Sequence, residues 1–105
     1  MDIDTIKAKL TPLLERSDAE KAILFGSYAR STQDDRSDID LIIIDNEDLP
    51  YLRRLDKYFA DIVRTLEKSV DLFVYNNLEF EDMKEGFFIG RAVAEGVVLY
   101  ERGET

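Results

Sequence analysis

The stretch 25–44, FGSYARSTQDDRSDIDLIII, carries the reading of the fold. An apolar segment, KAILF at 21–25, reads as a strand that stops at Gly26. A short helix is expected from about Ser27, followed by the polar loop TQDDRS. DIDLIII, 38–44, is then a β-branched strand, apolar enough at its end to be central and buried. Two acids sit at its start. Residues two apart on a strand point to the same face, so Asp38 and Asp40 project together, roughly 6–7 Å apart along the chain. Like charges repel, and burying either is costly. A strand built only for stability would carry Thr or Val there.

The segments around this stretch alternate between helix and strand. Ile3, Ile6, Leu10, Leu13 and Leu14 recur at helical spacing over 2–16, with Pro12 expected to kink the helix or start a new turn. The clearest helix spans 48–68, where Leu52, Leu55, Phe59, Ile62 and Leu66 step by three and four behind Asp48 and Pro50. SVDLFVY, 69–75, is another strand. NNLEFEDMKEG opens with turn chemistry and turns helical. Phe88, Ile89, Ala92 and Val93 suit a last helix ended by Gly96, and VVLY, 97–100, closes as a strand before a fraying ERGET tail. The bulky run Phe87, Phe88, Ile89 is assigned first to core packing, with exposure of one of them for docking as the alternative. The expected class is α/β (α+β): a small mixed sheet of about four strands flanked by helices, in a single domain over 1–105.

The chain is 45% hydrophobic and 35% charged, as a folded domain requires. It holds no Cys and no His, so thiolate and imidazole chemistry are excluded within these 105 residues. No apolar run approaches the roughly 20 residues that span a membrane. The N-terminus, MDIDTIKAKL, is acidic and amphipathic, unlike a secretion signal, so a cytoplasmic location is expected. A net charge of −9 opposes tight binding to bare nucleic acid; it suits a basic partner or a bound cation, or else serves only to keep the protein soluble.

A divalent cation is one explanation of Asp38 and Asp40; a solvated strand rim is the other. Carboxylates are the hard ligands Mg²⁺ prefers, and two metals roughly 3.5–4 Å apart can clamp a phosphoryl transfer. A neighbouring strand supplies a third acid: Asp71 is the only charge in VDLFVY. Gly26 allows a close backbone approach, Ser27 adds a hydroxyl, and free N–H groups there suit a phosphate. Arg30, one turn later, either faces the same anion or pairs with Asp34 or Asp35 on the surface.

Together these residues resemble the DNA polymerase β-like nucleotidyltransferase superfamily, and in particular its minimal nucleotidyltransferases (MNT). The pattern is Gly-Ser, ten residues, then Asp-x-Asp, met here by Gly26-Ser27, Tyr28 to Ser37, and Asp38-Ile39-Asp40. GSYAR, SDIDLIII and the closing AVAEGVVLY also look like the family. One position departs: Ser31 stands where the family commonly has Gly. The resemblance implies the nucleotidyltransferase fold and transfer of AMP from ATP to a hydroxyl. It implies that Asp38, Asp40 and Asp71 hold one or two Mg²⁺ ions, with Asp71 helping to deprotonate the acceptor. It also implies that Gly26 and Ser27, assisted by Arg30, grip the nucleoside triphosphate. Larger relatives carry a helical domain that these residues lack. The implied partner is therefore another chain, a HEPN-type helical toxin silenced by AMP on a tyrosine, with this chain as antitoxin. Two alternatives are a binding module that neutralises its partner stoichiometrically, and transfer to a small-molecule or RNA acceptor.

Overall fold

Leu41, Ile42, Ile43 and Ile44 are all buried, so their strand must be covered on both faces. Each such side chain contributes about 1.5–3 kcal/mol when removed from water. The computed structural model describes residues 1–103. Its elements are α1 (Ile3–Glu15), β1 (Ala19–Phe25), α2 (Gly26–Arg30), β2 (Ile39–Asp45), α3 (Tyr51–Leu66), β3 (Val70–Tyr75), α4 (Asn77–Met83), α5 (Phe87–Glu95) and β4 (Val97–Glu101). The sheet order is β3-β2-β1-β4. β1 runs antiparallel to β2 and β4, and β2 runs parallel to β3, so the sheet is mixed. The parallel pair requires a crossover, and the long helix α3 supplies it.

The sheet separates two cores. On one face, Ile6, Leu10 and Leu14 of α1 and Ile62 and Leu66 of α3 pack on Leu24, Leu41, Ile43 and Leu72. On the other, Phe80 of α4 and Ile89 and Ala92 of α5 pack on Ile23, Phe25, Ile42 and Ile44. Asp2 caps α1 by accepting from the Thr5 N–H at 2.8 Å. Asn76 and Glu79 form a reciprocal capping box on α4.

Several sequence expectations change in detail. α1 runs through Pro12 without interruption. β1 starts two residues earlier than read, at Ala19, with a register shift between Ala19 and Lys21. The buried stripe of α3 matches the apolar one at Ile62 and Leu66, with Leu55 partly buried against the core, but departs from it at Leu52 and Phe59. Arg54, Tyr58, Ile62 and Leu66 face inward, while Leu52 is 70% exposed and Phe59 44%. The reason is polar anchoring. Arg54 donates to both Glu79 oxygens, at 2.6 and 3.0 Å, and to the Leu49 carbonyl. Tyr58 donates to Asp45 at 2.6 Å. These partners turn the helix away from its apolar count. Core packing for the run at 87–89 holds only for Ile89; Phe87 is 82% exposed and Phe88 53%. Gly96 ends α5 with extended backbone (φ −76) rather than a left-handed turn. A methyl there would overlap the Ala92 carbonyl and the Ile23 side chain, so close packing explains that glycine. Arg102 ties down part of the expected fraying tail: its N–H donates to the Glu20 carbonyl at 2.8 Å and its Nε to the Ala19 carbonyl at 3.0 Å. The tail's last two residues, 104–105, lie outside the described residues.

Ser31 leaves α2 in the left-handed region, with φ 59 and ψ 35. The Thr32 N–H bonds back to the Ser27 carbonyl at 2.9 Å across this turn. This conformation strains a residue that carries a Cβ and suits glycine. Ser31→Gly is therefore expected to stabilise the fold by about 0.5–1 kcal/mol in urea unfolding, despite the added freedom of the unfolded chain.

Candidate active site

Phe25 of β1, Asp40 of β2 and Asp71 of β3 lie side by side across the sheet, on the face that α4 and α5 partly cover. Asp40 and Asp71 are direct partners in the parallel register, close enough for Asp71 to raise the Asp40 carboxyl. Asp38 lies just before β2 rather than inside it, and it is exposed at the rim. Its charge still acts on Asp40. Asp40 and Asp71 thus meet at one end of the β2–β3 pair, where the C-terminus of β1 also arrives, while Asp38 stands at the rim beside them and does not bring an oxygen within 4.8 Å of both.

Gly26 follows Phe25 with φ +72, a conformation that disfavours side chains. A methyl on Gly26 would overlap the Asp40 carboxylate. Glycine is needed there twice, for the backbone angle and for the space Asp40 occupies. Ser27 and Arg30 follow on the single turn of α2, anchored beneath by the buried ring of Tyr28. Arg30 pairs with neither Asp34 nor Asp35: its Nη1 donates to Glu95 of α5 at 2.9 Å.

The electrostatics of this end are uncompensated. Burial, then the charge and hydrogen bond of Asp71, then the charge of Asp38 push the Asp40 carboxyl up to about 6. The Arg30 guanidinium pulls the other way without cancelling them. Three carboxylates with this repulsion fit an oxygen-loving divalent cation, which relieves it on binding.

A second acidic group lies at the opposite end of β2, and sequence reasoning missed it. Among the described residues, Asp18, Asp45 and Glu47 are the acids that bring one oxygen each within 4.8 Å of one another. Lys57 already occupies their centre, donating to Asp45 at 2.7 Å, to Asp18 at 3.2 Å and to Glu47. Burial raises the fully enclosed Asp45 carboxyl, but hydrogen bonds from Lys57, Tyr58 and the Glu47 N–H outweigh it and hold it below its ordinary value. That group is satisfied and structural. Two further residues had no clear sequence signal: Arg91 and Glu95, one turn apart on α5, line a cleft of about 230 Å³ with Gly26, Arg30 and Phe88.

The family model described as "Polymerase beta, Nucleotidyltransferase" matches residues 8–105. The chain belongs to that nucleotidyltransferase family. Over 80 residues it is 39% identical to the Methanocaldococcus jannaschii protein named "Putative protein adenylyltransferase MJ0435", spanning 74% of this chain and 83% of that one. Its fold is similar to a chain of a crystal structure described as a toxin-antitoxin with AMP-PNP. That match has a TM-score of 0.66 and 23% identity, over 92% of this chain and 74% of the other. It is also similar to a chain of the complex described as tri-AMPylated Shewanella oneidensis HEPN toxin with MNT antitoxin. There the TM-score is 0.62 at 20% identity, over 94% and 72% of the two chains. At these identities the two structures speak for the nucleotidyltransferase fold. Among the described residues no helix is long and apolar enough to cross a membrane.

The folded-state carboxyl of Asp40 lies above its ordinary value of 3.8, so acidification returns a proton that a cation must displace. Mg²⁺ affinity by calorimetry is expected to be level above about pH 6 and to fall towards about tenfold per pH unit below it. Without metal the same group acts on stability with the opposite sign: its contribution is fully present below pH 3.8 and is lost as pH rises through about 6. Gly26→Ala should lose about 1–2 kcal/mol from the backbone alone. By displacing the Asp40 carboxylate it should also weaken Mg²⁺ binding more than about tenfold.

Proposed function

We propose that this chain is a single minimal domain over 1–105 that acts in the cytoplasm as an antitoxin. It transfers AMP from ATP to a tyrosine hydroxyl of a HEPN-type helical toxin and so silences it. The reading rests on one observation above the others: Asp40 and Asp71 are paired across β2–β3, with Asp38 beside them and Gly26 closed against Asp40. The named adenylyltransferase relative and the toxin-antitoxin neighbours support the choice of reaction and partner.

In this reading Asp38, Asp40 and Asp71 hold Mg²⁺, as one or two ions. Bound there, Mg²⁺ neutralises phosphate charge and eases deprotonation of a nearby hydroxyl. The chain's own residues do the rest. Gly26 lets the backbone come close to the triphosphate, with Ser27 and Arg30 as donors to its oxygens. The acceptor oxygen attacks the α-phosphorus, the bond from that phosphorus to the β-phosphate oxygen breaks, and pyrophosphate leaves. Asp71 receives the hydroxyl proton, since the chain has no His to take it. Charge builds on the phosphate oxygens during this step, where the N–H donors and Arg30 stabilise it.

A partner must supply the tyrosine, and exposed apolar residues border the acids. Phe88 packs edge-on against Phe25 and Phe73, with ring centroids 5.9 and 5.6 Å away. Those two rings are the sheet neighbours of Asp40 and Asp71. A helical chain resting on this side would bring its acceptor near the acids. The net charge of −9 favours a basic partner.

The test mixes the chain with labelled ATP, Mg²⁺ and the helical protein encoded beside it. Mass spectrometry is expected to show AMP increments on a partner tyrosine and loss of the partner's ribonuclease activity. Asp38→Asn, Asp40→Asn and Asp71→Asn should each slow transfer by about 10²–10³-fold or more. Equal silencing by wild type and variants, with no added mass, would leave a stoichiometric binder in place of an enzyme.

A further inference from the structure

The cleft that Gly26 lines presents two arginines to a single carboxylate. Arg30 Nη1 donates to Glu95 Oε2 at 2.9 Å, and Arg91 Nη2 donates to Glu95 Oε1 at 3.2 Å. Each oxygen of one anion therefore takes one guanidinium, from two different helices. Arg91 is further steadied by the Phe87 ring, 5.8 Å from its guanidinium carbon. Phe88 and Ala92 give the same cleft an apolar wall.

This pairing makes little sense as a stabilising device. Both arginines and Glu95 are substantially exposed, and such pairs contribute about 0–1 kcal/mol. It does make sense as preorganised anion recognition. Guanidinium groups bind phosphate by the same fork geometry with which they bind carboxylate. A chain of net charge −9 repels a nucleoside triphosphate at long range, so it needs cations concentrated where the polyanion lands. Arg30 and Arg91 are the two cations lining this cleft, and it opens beside the Gly26 turn against which Asp40 is packed.

We propose that Arg91 is a second triphosphate-binding residue alongside Arg30. Glu95 is the internal stand-in that holds both arginines aimed into the cleft until the terminal phosphates replace it. The inference rests on the nucleotidyl-transfer reading and deepens it. The phosphates compete with Glu95 for the same donors, so Glu95 lowers ATP affinity while keeping the site in order. AMP, which has no terminal phosphates, does not reach these donors.

Calorimetric titration of ATP and of AMP, each with saturating Mg²⁺, tests this on the full chain. The variants are Arg91→Ala, Arg91→Lys and Glu95→Gln, with thermal melts to verify that each is folded. Arg91→Ala is expected to weaken ATP about tenfold and leave AMP unchanged, with Arg91→Lys in between. Glu95→Gln is expected to tighten ATP. The inference is overturned if folded Arg91→Ala binds ATP like wild type, if it loses ATP and AMP alike, or if Glu95→Gln weakens ATP. A wild-type chain that binds no ATP with Mg²⁺ would overturn the nucleotidyl-transfer reading itself, and this inference with it.

Discussion

Two carboxylates face one another across the parallel β2–β3 pair, and the fold holds them there against their repulsion. Asp40 is lodged between the Gly26 backbone and Asp71, with burial and two like charges pushing its carboxyl up to about 6. Much of the architecture serves that placement. The parallel register aligns Asp40 with Asp71, and α3 is the crossover that makes a parallel register possible. The antiparallel strand β1 delivers Gly26 to the same end. Residues from four elements around Asp40 therefore depend on the two apolar cores, one of which reaches it through Phe25, its strand partner.

The two ends of β2 solve the same problem in opposite ways. At its C-terminal end, Asp45 is fully enclosed, and Lys57 and Tyr58 both donate to it. Its charge is answered inside the protein, and its carboxyl stays low. At the N-terminal end Arg30 is drawn off toward Glu95, and the acids are left facing one another. A chain selected for stability alone would pair both ends. Both ends adjoin clefts, but only the cleft at the unpaired end is bordered by an exposed aromatic edge and a glycine turn. In the proposed reading, this unmatched negative charge beside two arginines is where a cation and a polyanion bind together.

The acids were legible in the sequence because the signal is local. Asp40 and Asp71 interrupt apolar strands, and alternation along each strand states which face they share; Asp38 reads as part of its strand but lies just before it, at the exposed rim. Gly26 was legible for a related reason, since a glycine between a strand and a helix marks a demanding backbone. What stayed hidden depends on partners distant in the chain. Nothing near Asp45 signals that Lys57 and Tyr58 will close over it. The face of α3 was misread because Arg54 and Tyr58, rather than Leu52 and Phe59, find partners in the folded protein. Glu95 and Arg91 look like a routine i, i+4 surface pair until α2 brings Arg30 to the same carboxylate. Ser31 is intermediate: the family's glycine raised the question, and its left-handed backbone answers it.

In the proposed function the charge left open at Asp40 is the metal site and the charge closed at Asp45 is not. Crystals soaked in Mn²⁺ with a non-hydrolysable ATP analogue, measured by anomalous diffraction, address both places at once. The account predicts a peak among the carboxylates of Asp38, Asp40 and Asp71, and none beside Lys57. A peak at Asp18, Asp45 and Glu47 with the Asp40 end empty would contradict it.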